Sequence, residues 1–154
     1  MKLAFLGLGV MGYPMAGHLQ KGGHNVTVYN RNAEKSAIWV ATYGGASAAT
    51  PRETALGADI VMMCVGNDND VRSVIYGADG ALAGLGENAV LVDHTTASAD
   101  VAREIDGEAK KQGKHFIDAP VSGGQAGAEN GKLTIMCGGD QAAFEKVKDR
   151  KSVV

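Results

Sequence analysis

Gly7-Leu8-Gly9-Val10-Met11-Gly12, close to the start of the chain, has the residue types and spacing to cradle a phosphate. An apolar run, Leu3 to Leu6, leads into it, and a second, Val26 to Tyr29, follows about a helix later. In a strand–turn–helix–strand unit each glycine has a task. Gly7 allows the tight turn out of the strand, Gly9 lets the backbone approach a pyrophosphate, and Gly12 lets the helix pack close to the sheet. The N–H groups that open the helix then hold the phosphates. In a chain with 22 glycines the motif alone is weak, and its place between two apolar runs is what gives it meaning.

The exit of the second run bears on which dinucleotide would fit. An Asp or Glu there commonly accepts hydrogen bonds from the adenosine ribose hydroxyls of NAD. This chain has Asn30 and Arg31 instead, with Lys35 nearby. A carboxylate repels a 2′-phosphate, whereas a guanidinium binds it through paired, charge-assisted hydrogen bonds. NADP(H) is therefore the expected cofactor. NAD(H) stays open, because an asparagine can bind a ribose hydroxyl and Arg31 can equally be a solvated loop residue beside a turn-forming Asn30.

The surrounding pattern supplies the elements. Met11 to Lys21 reads as a helix, with Pro14 tolerated in its first turn and Gly22-Gly23 closing it. Asn25 to Tyr29 alternates as a strand, and Glu34 to Tyr43 is a helix with Trp39 as a packing residue. Gly44 to Thr50 reads as a turn with a short strand. Thr50-Pro51-Arg52-Glu53 starts another helix, with the hydroxyl as cap and proline in the first position. Asp59 to Val65 is a continuous apolar run suited to a parallel strand buried on both faces. Gly66 to Asp70 is a polar turn into a helix ending near Tyr76, and Gly77 to Gly86 is a connector with some helix. Ala89 to Val92 is a strand, Asp100 to Gln112 an amphipathic helix and His115 to Asp118 a short strand. Ala119 to Gly124 reads as a loop, Lys132 to Cys137 as a last strand, and Gln141 to Lys148 as a helix. Strands alternating with helices imply an α/β fold, a Rossmann-type doubly wound, mainly parallel sheet. Ligands then bind beyond the carboxyl ends of the strands. The polar exits at Gly7–Gly12, Asn30-Arg31, Val65 to Asp70 and Thr95-Thr96 fall on that edge, which puts Val65, Gly66 and Asp70 among the cofactor candidates.

Bulk properties exclude other classes. The 154 residues suit one domain, with 45% hydrophobic and 21% charged residues, as in ordinary globular proteins. A net charge of −2 gives no reason to expect nucleic acid or an anionic membrane as partner. Glycines and Pro14 break the uncharged run after Met1-Lys2, so no secretory signal is expected, and no run is long enough to span a membrane. Cys64 and Cys137 lie in apolar, strand-like runs and read as buried reduced thiols of a cytoplasmic protein. The histidines, His18, His24, His94 and His115, are scattered, and no metal is expected.

Two long segments carry a resemblance to a known family. FLGLGVMGYPMAGHLQKGG at 5–23 and DAPVSGGQAGAENGKLTIMCGGD at 118–140 resemble the N-terminal signature and the substrate loop of the 3-hydroxyisobutyrate dehydrogenase family, the β-hydroxyacid dehydrogenases. The resemblance covers residues 1 to about 148. It implies NAD(P)-dependent interconversion of a short 3-hydroxy acid and its semialdehyde, in a parent that is a homo-oligomer. Leu8 to Met11 would contact the pyrophosphate, Asn30 and Arg31 the adenosine ribose, and Val65, Gly66 and Thr96 the cofactor further along. Val65-Gly66 departs from the family's usual Leu-Pro. Ser122, Gly123 and Gly124 match the loop that binds the substrate carboxylate; a hydroxyl and successive glycine N–H groups can form an anion-binding nest, although a plain tight turn explains them as well.

The family's catalytic lysine lies on a long helix after the Rossmann domain. Lys132, Lys146 and Lys148 do not sit in its glycine–lysine–asparagine context, so no catalytic residue is assigned. The expectation is a cofactor domain at 1–148, an atypical tail at 149–154 that marks a truncation junction, and a missing all-helical second domain. Such a chain would be inactive alone. Two alternatives stay open: a non-enzymatic dinucleotide-binding module, and an enzyme like 6-phosphogluconate dehydrogenase, whose substrate loop also resembles Val121 to Gly124.

Overall fold

The structure, a computed structural model, describes residues 1–148; the expected tail at 149–154 lies outside the described residues. The elements follow the sequence periods closely. The first unit is β1 (Lys2–Leu6), α1 (Gly12–Lys21) and β2 (Asn25–Tyr29), followed by α2 (Ala33–Tyr43), β3 (Ala46–Ser47) and α3 (Pro51–Ala55). Thr50 caps α3 by accepting from the Glu53 N–H at 3.1 Å, with Pro51 in the first turn. Next come β4 (Ile60–Met63), α4 (Asp68–Ile75), α5 (Ala81–Gly84), β5 (Val90–Asp93), α6 (Ala99–Lys111) and β6 (His115–Asp118). The chain continues through β7 (Val121–Ser122), α7 (Gly124–Glu129), β8 (Thr134–Ile135), β9 (Gly138–Gly139) and α8 (Gln141–Val147).

The main sheet has seven strands in the order β3-β2-β1-β4-β5-β6-β9. Every pairing from β3 to β6 is parallel, and only β6–β9 is antiparallel. Sequence order reverses between β1 and β4, so the crevice of a doubly wound fold opens above that pair. Side chains alternate across the strands. Leu3 and Phe5 face Met15, Leu19 and Trp39 of α1 and α2, while Ala4 and Leu6 belong to a second core with Val71, Ile75 and Ile105 of α4 and α6. Both faces of the sheet are thus covered from within the described chain.

Two expectations need correction. Lys132 to Cys137 is not a strand of the main sheet. Only Thr134–Ile135 is extended there, and it pairs antiparallel with Val121–Ser122 in a separate two-stranded ribbon. The segment read as a loop after Asp118 therefore contains β7 and the start of α7, and Gly138–Gly139 returns to the edge of β6 without a crossover helix. The thiols also differ from expectation. Cys64 is only partly buried, just beyond the end of β4, and Cys137 is exposed, because the ribbon carries it away from both cores.

Candidate cofactor site

The glycine loop takes its shape from backbone packing. Gly7 has φ of +96°, and a Cβ there would lie 2.3 Å from the Cys64 carbonyl oxygen. A Cβ on Gly12 would lie 2.0 Å from the Gly7 carbonyl oxygen and 3.0 Å from the Phe5 ring. Both positions exclude any side chain. Gly9 differs, since a Cβ there would meet nothing within 4 Å, and its face of the loop is open. Two bonds tie the loop to β2: the Gly7 N–H donates to the Tyr29 carbonyl at 2.8 Å, and the Leu8 N–H donates to Asn30 Oδ1 at 2.9 Å.

The start of α1 has no side-chain cap. The opening N–H groups of a helix lack intrahelical partners and are commonly satisfied by a side chain. Asn32, Asn67 and Ser98 cap α2, α4 and α6 in this way. Among the described helices of eight or more residues, α1 alone has no side-chain cap. A helix start in that state favours an anion.

A cleft of about 720 Å³ lies against this loop. Gly7, Gly9, Val10, Met11 and Gly12 form one wall, Asn30 and Arg31 a second, and Val65, Gly66 and Asp70 a third. The structure thus brings together most of the residues chosen for the cofactor from sequence. Leu8 lines none of it, because its side chain is buried in the core and its N–H is held by Asn30. Thr96 is exposed outside the cleft lining. Ser122, Gly123 and Gly124 are exposed at the junction of β7 and α7, also outside this lining. They are nevertheless tied to the cofactor helix, since the His18 ring of α1 reaches the Ala128 and Glu129 carbonyls of α7 at 2.9 and 3.1 Å.

Arg31 is exposed and pairs with Asp70, Nη1 to Oδ1, at 3.4 Å. Lys35 and Asn32 line the same wall, and Asn32 also caps α2 by accepting from the Glu34 N–H at 3.0 Å. The third wall is braced by Thr95, placed at this edge by its position after a strand, and by Asp93, whose bracing contact the sequence did not show. The Val65 N–H donates to Thr95 Oγ1 at 3.0 Å, and the Thr95 N–H donates to Asp93 Oδ1 at 2.8 Å. Asp93 is buried, and burial pushes its carboxyl up to about 6 despite the bonds from Thr95. Burial, with the neighbouring Asp93 charge, pushes the Cys64 thiol up to about 12, so it stays protonated and inert at neutral pH. The His94 Nδ1–H donates to the Ala119 carbonyl at 2.8 Å, joining the ends of β5 and β6. No group of three or more His, Cys, Asp or Glu among the described residues could hold a metal ion.

Uncapped helix start, open glycine and cleft together fit a dinucleotide. A family model described as the NAD binding domain of 6-phosphogluconate dehydrogenase matches residues 2–150. The chain belongs to this family of NAD-binding domains, in the branch of the 3-hydroxyisobutyrate dehydrogenases. It is 62% identical over 147 residues to an uncharacterized oxidoreductase of Shewanella frigidimarina, covering 96% of this chain and 50% of that protein. It is 44% identical over 144 residues to a protein of Arabidopsis thaliana named "Probable 3-hydroxyisobutyrate dehydrogenase-like 2, mitochondrial", covering 94% of this chain and 48% of that one. The solved 3-hydroxyisobutyrate dehydrogenase of Mycobacterium tuberculosis with L-serine superposes with a TM-score of 0.90 at 32% identity, covering 98% of this chain and 50% of that one. The chain spans about half the length of these relatives. It is the NAD(P)-binding domain of an oxidoreductase family, and among the described residues no helix is long and apolar enough to cross a membrane.

Proposed function

We propose that this domain serves an NADP(H)-preferring dehydrogenase that interconverts a short 3-hydroxy acid and its semialdehyde. The observation that carries the cofactor part is the uncapped start of α1 on a cleft whose far wall presents Arg31 and Lys35. The loop from Gly9 to Gly12 would hold the pyrophosphate, and Arg31 with Lys35 the 2′-phosphate of the adenosine ribose. Bound there, the cofactor would supply hydride transfer to or from the substrate carbonyl carbon. Ser122, Gly123 and Gly124 would take the substrate carboxylate and Thr96 would contact the cofactor, both by likeness to the family's motifs. No proton donor is assigned within 1–148, so the reaction needs a group from elsewhere in the parent. Cys64 and Cys137 form no disulfide, which suits a reducing compartment such as the cytoplasm.

Titration of the chain with NADPH and NADH, before and after Arg31→Ala, tests the cofactor preference. Loss of a charge-assisted contact should weaken NADPH about tenfold and NADH far less. Equal losses for the two cofactors would sink the preference for NADP(H). Screening the parent enzyme with NADPH against short semialdehydes and against 6-phosphogluconate tests the substrate class. Turnover of 6-phosphogluconate alone would replace this reading with the other branch.

A further inference from the structure

Arg31 and Asp70 reach the cleft from the exits of β2 and β4, strands that lie on either side of β1. Their side chains meet at 3.4 Å, with Arg31 87% exposed and Asp70 29% exposed. Asp70 is the fixed member. Its N–H donates to Asn67 Oδ1 at 3.0 Å in the capped first turn of α4. Its carboxylate rests over Gly66, where a Cβ would lie 2.5 Å from Asp70 Oδ2. A glycine at 66 thus leaves the room that the carboxylate occupies.

The same guanidinium is the group assigned above to the 2′-phosphate. The Nη1–H that meets the Asp70 carboxylate is not available to a phosphate at the same time, and the carboxylate repels a second anion brought beside it. The pair is too exposed to block the site, because ion pairs in high dielectric are weak and readily exchanged. It can only tax it. Resting on the cofactor reading, we infer that Asp70 sets cofactor selectivity by competing with the adenosine 2′-phosphate for Arg31. NADP(H) must displace Asp70, whereas NAD(H), which has no phosphate there, leaves the pair in place. Asp70 narrows the preference that Arg31 and Lys35 would otherwise give.

The test is calorimetric titration of the 154-residue chain and its Asp70→Asn and Asp70→Ser variants with NADPH and NADH. The expected result is a rise of about threefold or more in the ratio of NADPH to NADH affinity in both variants. In an Arg31→Ala background the Asp70 substitutions should lose most of that effect, because the competition acts through the guanidinium. An unmoved or falling ratio overturns the inference alone, as does the same rise with Arg31 absent. Failure of the unsubstituted chain to bind either dinucleotide overturns the cofactor reading, and this inference with it.

Discussion

Asn30 serves two neighbours at once. Its Oδ1 accepts from the Leu8 N–H at 2.9 Å, and its Nδ2 donates to the Asn32 carbonyl at 3.1 Å. One residue thereby ties the glycine loop to the exit of β2 and shapes the start of α2. Position alone made Asn30 and Arg31 legible in the sequence, since the end of the second strand is where such a fold meets the ribose. The use of Asn30 as a brace was not legible, because it depends on a contact between residues 22 apart. The consequence is a separation of roles. Asn30→Ala strands the Leu8 N–H and should cost about 1–3 kcal/mol in urea denaturation, while weakening NADPH and NADH by similar factors. Unchanged stability with a loss of affinity would instead make Asn30 a ribose ligand and nothing more.

At the scale of elements, long apolar runs were readable and short ladders were not. β2 and β6 fall where alternation and apolar content put them, and α3 starts at the Thr50-Pro51 signal. β7, β8 and β9 contain two residues each, too few for any period, and Gly138–Gly139 offers no side chain to pattern. The hidden feature of most consequence is the end of β5. Asp93 was invisible as a titrating group because only the fold buries it, raising its carboxyl from an ordinary 3.8 to about 6. A carboxyl whose folded value is raised binds more protons folded than unfolded, so its ionisation opposes folding. Its effect on stability is absent below 3.8, grows as pH rises toward about 6, and is constant above that. Asp118, also raised by burial, acts in the same direction. Asp93→Asn keeps an oxygen for the Thr95 N–H and removes the charge. Compared with the unsubstituted chain, it should gain stability between about pH 4 and pH 6, by an amount on the order of 2 kcal/mol. Urea midpoints across that range check this, and parallel curves for the two proteins would refute it.

For the molecule as a whole, binding and turnover separate. The sheet buries both faces against helices of the described chain, so the domain has its own cores and should fold without further covering of those faces. The cleft above β1 and β4 is lined by loops at the strand ends that rest on these cores, all from the described chain. The sequence revealed that much because the strand-and-helix rhythm dictates the switch point. It assigns no proton donor, and the reading proposed above takes one from elsewhere in the parent. On that reading the 154-residue chain should respond to cofactor by binding it without turnover. A ligand that binds only the folded state raises the melting temperature, by about 5–10 °C at a hundredfold excess over Kd for a domain of this size. NADPH should produce such a shift, while semialdehyde added with NADPH should produce no loss of absorbance at the reduced nicotinamide band. Turnover by the chain would mean that a proton donor lies within it after all, and Lys132, whose carbonyl packs beside Gly123, would then be the first lysine to replace. A flat melting temperature would locate the failure earlier, in the uncapped start of α1 itself.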